Sequence, residues 1–247
     1  MLFLRLYTIC IHSVPMKQAA TVRRLWRPEL PTLHTSLPGR VYRELKQQIL
    51  TCHLLPEHRL IESEHCAALH VSRTPLREAL NRLALEGLVV PVPAGGYMVA
   101  PITIEDIRHL TELRQILEAE AAYLAALRAA EEDIAAMESF ATLTYKQGHR
   151  STYVLSLERN RSFHLAVAKA SRNPRLEAIT ISVLDQVQRA IYFGLDAAID
   201  AKLATAEHFE LIEAIKSRSS RRARELMAAQ IKNGEKGMLK ACMQLDL

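Results

Sequence analysis

Apolar and polar positions along the chain fall into two regimes that meet near residue 101. Between Leu37 and Pro101 the periodicity is mixed. Val41, Leu45, Ile49 and Leu50 recur at helical spacing and predict a first helix that stops before Pro56. A second helix is predicted from about Glu62 to Leu69, with Ser63 or Ile61 near its start. Val71-Ser72-Arg73-Thr74-Pro75 then reads as a tight turn. Ser72 or Thr74 would cap a third helix with proline at its first position, and that helix would run through Leu88. Its apolar side is Leu76, Leu80, Leu83 and Leu88. Beyond Gly87, Val89–Val92 and Tyr97–Ala100 read as two short strands joined by a Pro93-Ala94-Gly95-Gly96 turn.

From Ile102 onwards the pattern is helical, alanine-rich and almost free of glycine and proline. It predicts about six helices, near 105–128, 131–146, 150–170, 174–193, 200–217 and 219–242, broken at Gly148, Asn173-Pro174, Gly194 and the Ser217–Ser220 region. The expected fold class is therefore mainly α: an N-terminal winged helix-turn-helix followed by an all-α antiparallel bundle. Three segments follow: an N-terminal extension over 1–36 expected to be flexible, a mixed helix-and-strand domain over 37–101, and a helical domain over 102–247.

Composition narrows the class further. Lys and Arg number 32 against 27 Asp and Glu, a net charge of +5 that favours polyanionic partners without demanding them. The four cysteines, Cys10, Cys52, Cys66 and Cys242, form no Cys-x-x-Cys pair, so neither a disulfide framework nor a thiolate zinc cluster is expected. A reducing cytoplasm suits them. The opening MLFLRLYTICIHSVP imitates a signal peptide weakly, but Arg5, His12 and Pro15 interrupt it, and Met16 offers an alternative start. No later run reaches the ~20 apolar residues of a membrane helix, so no membrane partner is expected.

The polar face of the third helix points to double-stranded DNA. Ser72, Arg73, Thr74, Arg77 and Asn81 lie opposite its leucines, and a helical N-terminus bearing Arg, Ser and Thr suits phosphates and guanine edges in a major groove. A solvated helix would look the same by spacing alone. The segment VSRTPLREALNRLALEGLV, however, resembles the recognition segment of GntR-type bacterial regulators, and the likeness extends through VYRELKQQIL and the Gly95-Gly96 wing. The resemblance implies operator contacts from Arg73, Thr74 and Arg77, neighbouring contacts from Ser63 and Ser72, and approach of Gly95 and Gly96 to the minor groove. The sequence departs from that family in its scaffold. Cys52, Glu57 and His70 stand where it usually has glycines, and His65 takes a usually apolar place.

TIEDIRHLTELRQILEAEAAYLAA, RNRSFHLAVAKASRNPRL and AEHFELIEAIKSRSSRRARELMAAQI resemble helices of the FadR-like branch, whose C-terminal FCD-type domain binds ligands. Many members of that branch hold a divalent metal with an Asp, a His one turn later and two further His residues. The matching positions here are Asn160, His164, His208 and Gln230. Zinc, nickel or manganese on His164 and His208 is thus one expectation. Amides replace a carboxylate and an imidazole, though, and the competing expectation is a hydrogen-bonded polar pocket. Those four residues, with Arg114 as partner for a ligand carboxylate, make the candidate effector site. An Arg114–Glu118 salt bridge at i, i+4 is the alternative role for Arg114. Arg189 and Tyr192 are weaker candidates, and Arg218, Arg221, Arg222 and Arg224 read as a solvated basic face.

The function expected is a transcriptional regulator, a repressor, that binds a pseudo-palindromic operator as a homodimer under control of a small metabolite. An architectural DNA-binding protein would need no polar set inside the bundle. A metal-dependent enzyme built on His164, His208 and Glu207 or Glu210 lacks a nucleophile, a phosphate loop and an acid–base pair.

Overall fold

The computed structural model describes residues 36–93, 95–146, 149, 152–197 and 200–245. The expected flexible arm and the alternative start at Met16 lie outside the described residues, as do Ala94 of the wing turn and Gly148. The described chain is mainly helical, in the order α1 (Leu37–Leu50), β1 (Arg59–Leu60), α2 (Glu62–Leu69), α3 (Arg73–Leu85), β2 (Val89–Pro91), β3 (Tyr97–Val99), α4 (Ile104–Arg128), α5 (Glu131–Ala141), α6 (Tyr153–Ala170), α7 (Pro174–Ala197), α8 (Ala201–Lys216) and α9 (Ser220–Leu245). No described helix is long and apolar enough to cross a membrane.

Capping chemistry fixes several boundaries. Ser36 accepts from the Gly39 amide at the start of α1. Thr103 and Asp106 exchange side-chain and backbone bonds in a capping box that starts α4. α2 starts after Ile61, so Ser63 sits inside it and not at its cap. α3 begins at Arg73, which puts Pro75 third in the helix rather than first. This is tolerated because the first-turn amides have no intrahelical acceptor.

The first three helices pack Val41, Leu45, Ile49, Leu76, Leu80 and Leu83 into one core, closed by Leu60, Leu88, Val89 and Val99. β3 is the centre of a three-stranded antiparallel sheet in the order β1-β3-β2, with Arg59 opposite Met98 and Val90 opposite Met98 on the other side. The outer strand β1 was not expected, since two residues carry no readable alternation.

α4 and α9 form the most extensive helix pair of the bundle. Ala119, Ala122, Ala125 and Ala126 of α4 let neighbouring helices close on Phe163, Val167, Leu211, Ile212 and Met227. α5 ends at Ala141, short of the expected 146, because the next amides find side-chain partners instead. Leu143 N–H donates to Thr205 and Thr144 N–H to Ser156. α7 passes through Gly194 without a break, with Phe193 and Leu195 buried on either side.

A further cluster joins the two regions: Cys52 and Ile102 pack with Leu184, Val187 and Tyr192 of α7. Around it lies a polar junction. Asp185 of α7, 3% exposed, is held by Lys46 of α1 at 2.7 Å and by Arg161 of α6 at 2.6 Å. Lys46 also reaches Glu86 at 2.7 Å, to which the Tyr42 hydroxyl donates. Arg189 donates to the Ala100 carbonyl at 2.5 Å. It therefore serves this junction and not the effector cavity.

Candidate DNA-reading helix and effector cavity

α2 and α3 are joined at a left-handed turn. His70 has φ +52°, and Val71 N–H bonds back to the Cys66 carbonyl, reversing the chain before α3 starts. Ser72 has extended backbone and no side-chain capping bond, which leaves its hydroxyl uncommitted. Leu76, Leu80 and Leu83 are essentially inaccessible, so Ser72, Arg73, Thr74 and Arg77 must face outward, and all four are exposed. Arg77 Nε donates to both oxygens of Glu62, at 3.0 Å each, while its side chain stays 60% exposed. The α2 carboxylate thus holds the guanidinium at the protein surface. Asn81 accepts from the Tyr97 hydroxyl, tying α3 to the wing. Gly95 and Gly96 both have φ +87°, which a side chain would strain, and both are exposed at the wing turn.

The bundle holds a partly open cavity of about 100 Å³. α4 contributes Arg114, α6 contributes Asn160 and His164, and α9 contributes Gln230, so four of the five expected effector residues line it together. His208 does not line it. Its ring stacks on Phe163 with centroids 3.8 Å apart, its Nδ1 lies 2.8 Å from the Ala141 carbonyl, and it stands behind His164 at 5.9 Å between centroids. Burial, reinforced by His164, lowers the His208 pKa to about 3, so this imidazole is neutral. Tyr192 packs edge-on against Tyr153 and does not line the cavity.

Behind the cavity lining lies an ionic cluster. Glu118, 2% exposed, sits 2.5 Å from Arg114 Nε and 2.6 Å from His164 Nδ1, the second contact lacking hydrogen-bond alignment. Burial alone would raise the carboxyl pKa, but Arg114 and His164 outweigh it and bring it to about 2. Both roles weighed for Arg114 are therefore filled at once: it is salt-bridged along α4 and it lines the cavity. Gln230 Oε1 is buried with no hydrogen-bond partner among the described residues. In a low-dielectric interior such an acceptor costs stability until something donates to it.

The same residues do not fit a divalent metal. The Nδ1 contacts of His208 with the Ala141 carbonyl and of His164 with Glu118 are ones that metal-bound imidazoles also make, but His208 does not line the cavity and the remaining members of the set are neutral amides. No group of three or more His, Cys, Asp or Glu among the described residues is arranged to hold a metal.

Sequence reading missed Asp200, Asn233 and Gly234, which also line the cavity, and it weighed Glu207 only for catalysis. Their polar types at helical spacing look like any solvated face, and only the convergence of helices reveals them. Of the basic cluster, Arg218 caps the end of α4 through the Ala126 and Ala129 carbonyls. Arg222 and Arg224 are paired with Glu210 and Glu120.

Comparison with known proteins agrees with both halves. Residues 37–99 match the model of the gntR family of bacterial regulatory proteins, and residues 109–233 match the FCD domain. The chain is 29% identical over 179 residues to the Nta operon transcriptional regulator of Aminobacter aminovorans, covering 72% of this chain and 83% of that one. It is 30% identical over 181 residues to an uncharacterized HTH-type transcriptional regulator from an unstable DNA locus of Streptomyces ambofaciens, covering 71% and 73%. The solved structure of E. coli McbR/YncC superposes with a TM-score of 0.70 at 24% identity, over 85% of this chain and 99% of that one, which shows the shared fold. An outward-facing Arg-Thr helix and wing, joined to a helical bundle with a polar cavity, are the parts of a DNA-binding transcriptional regulator with an effector domain, and the chain belongs to the GntR family, in its FCD-containing branch.

Proposed function

We propose that this regulator is a cytoplasmic repressor without enzymatic activity, that residues 37–101 bind a pseudo-palindromic operator as part of a homodimer, and that a small carboxylate-bearing metabolite entering the bundle of residues 102–247 controls the binding. The observation that carries the reading is the coexistence in one chain of exposed Arg73, Thr74 and Arg77 on α3 with a cavity holding a buried guanidinium and a partnerless amide oxygen. Ser63, Ser72, Gly95 and Gly96 complete the DNA face. Arg114, Asn160, His164 and Gln230 hold the effector by direct contact, with His208 supporting His164 from behind. Asn160 and Gln230 put neutral amides where the metal-binding pattern has a carboxylate and an imidazole, and the effector is held without a metal. One recognition helix reads only a few base pairs, which is why two half-sites about one helical turn apart are required.

Footprinting on the DNA upstream of the chain's own gene and its neighbours tests this directly. A protected, two-fold-related site is expected. Arg73→Ala should lose on the order of 1–3 kcal/mol of specific binding, and Arg77→Ala should weaken it too. Equal losses on random DNA would make both residues phosphate contacts only. Nanomolar binding of a monomer to one half-site would sink the homodimer reading.

A further inference from the structure

The charge inventory of the cavity is not that of a site built for a plain acid. Its one cationic arginine, Arg114, is already matched by Glu118 at 2.5 Å. Against this, Asp200 and Glu207 bring two carboxylates to the same cavity, and neither has a cationic partner among the described residues. Asp200 caps α8, its Oδ1 accepting from the Lys202 and Leu203 amides at 2.8 and 3.4 Å. Glu207 accepts from Asn233 Nδ2 at 2.8 Å. Amide hydrogen bonds orient these carboxylates and the N-terminus of α8 favours the charge on Asp200, but no cation pairs with either one among the described residues. Asp200, Leu203 and Glu207 follow at spacings of three and four residues, so all three lie on one face of α8, and that face lines the cavity. The field of Asp200 is felt across the space. Burial, with the charge of Asp200 added to it, pushes the hydroxyl of cavity-lining Tyr145 up to about 12.

Asp200 is exposed and Glu207 half-buried, so this acidic wall forms the solvent-facing rim of the cavity, and two further observations favour a ligand site there. Gln230 Oε1 lines the same cavity, buried and without a partner. Gly234, also lining it, sits in the interior of α9 where an added Cβ would meet no atom within 4 Å. Helix interiors disfavour glycine by roughly 1 kcal/mol relative to alanine, and here no packing contact requires it.

Building on the effector reading above, we propose that the ligand is amphoteric: a small acid that also carries a protonated amine, its acid end on Arg114 and its ammonium group facing Asp200 and Glu207. A plain carboxylate would bring a third negative charge beside two unpaired ones, a cost that grows as the cavity closes to water. An ammonium group three or more bonds away removes that repulsion and donates to both carboxylates and to Gln230. A divalent cation is a poorer occupant, because no cluster of three suitable ligands stands among the described residues.

Titration calorimetry on the full chain with matched probes tests the proposal. Each set holds a straight-chain ω-amino acid of four to six carbons, the same acid without the amine, and the same amine without the carboxylate. At least one amino acid should bind ten-fold or more tightly than both of its truncated partners. Asp200→Asn with Glu207→Gln should erase that advantage, weakening the amino acid while tightening the plain acid, whose repulsion the two amides remove. The double variant keeps its fold in the expected outcome, since Asn caps helices as well as Asp and Gln can still accept from Asn233. Arg114→Gln should weaken both acids. A plain acid that binds as tightly as its amino derivative, or a preference that survives the double variant, overturns the amphoteric ligand and leaves a carboxylate sensor standing. Failure of every acid, with or without an amine, overturns both.

Discussion

Three residues where the family resemblance implies glycine turn out to occupy left-handed backbone: Cys52 at φ +52°, Glu57 at φ +63° and His70 at φ +52°. A side chain in this region costs roughly 1–2 kcal/mol. Glu57 and His70 are exposed, so no packing offsets the strain. His70→Gly should therefore stabilise the chain by about 1 kcal/mol, read as a higher urea midpoint at unchanged slope. No gain would mean that glycine's extra freedom in the unfolded chain cancels the relief. His208 makes a second residue-scale prediction. Its pKa falls from 6.5 to about 3 on folding, so between those values the unfolded chain binds a proton that the folded chain refuses. Stability is lost as pH drops through this window, by up to about 1.4 kcal/mol per pH unit from this group alone. Glu118, lowered from 4.5 to about 2, acts in the same direction but only below 4.5. His208→Phe, which keeps an aromatic ring on Phe163, should flatten the dependence of Tm on pH between 6.5 and 4.5. An unchanged slope would assign it to other groups.

At the scale of elements, helices with strong periodicity were legible almost to the residue. α2 and the start of α7 fall where expected, because Pro and cap residues act within one turn of the chain. Ends that depend on distant partners were not. Thr205 and Ser156 terminate α5 from other helices, and no local signal at Thr142 announces them. The candidate site divides along the same line. Arg114, Asn160, His164 and Gln230 could be placed by resemblance, whereas Asp200 and Gly234 acquire meaning only when α8 and α9 close on one space. α9 can test that meaning. Gly234→Ala should raise helix and protein stability by roughly 0.5–1 kcal/mol, because the new methyl group meets nothing. Gly234→Leu should fill the cavity and abolish ligand binding. Thermal melts and the calorimetry above measure the two effects, and unchanged affinity in the leucine variant would place the ligand elsewhere.

For the whole molecule, the junction at Asp185 is where the halves share a buried charge. One nearly inaccessible carboxylate is shared by Lys46, on the helix that packs against α3, and by Arg161, the residue next to cavity-lining Asn160. A ligand that shifts α6 would act on the same carboxylate that holds α1. Equilibrium binding is reciprocal: whatever factor a ligand imposes on operator affinity, the operator imposes on ligand affinity. Asp185→Asn should shrink that factor towards one in both directions while leaving each site able to bind, a result visible by titrating ligand with and without operator DNA. A factor that persists in the variant would route the coupling through the apolar contacts beside it. The regulator is then as much a DNA-sensitive metabolite receptor as a metabolite-sensitive DNA binder, and its ligand threshold in the cell depends on how many operators it occupies.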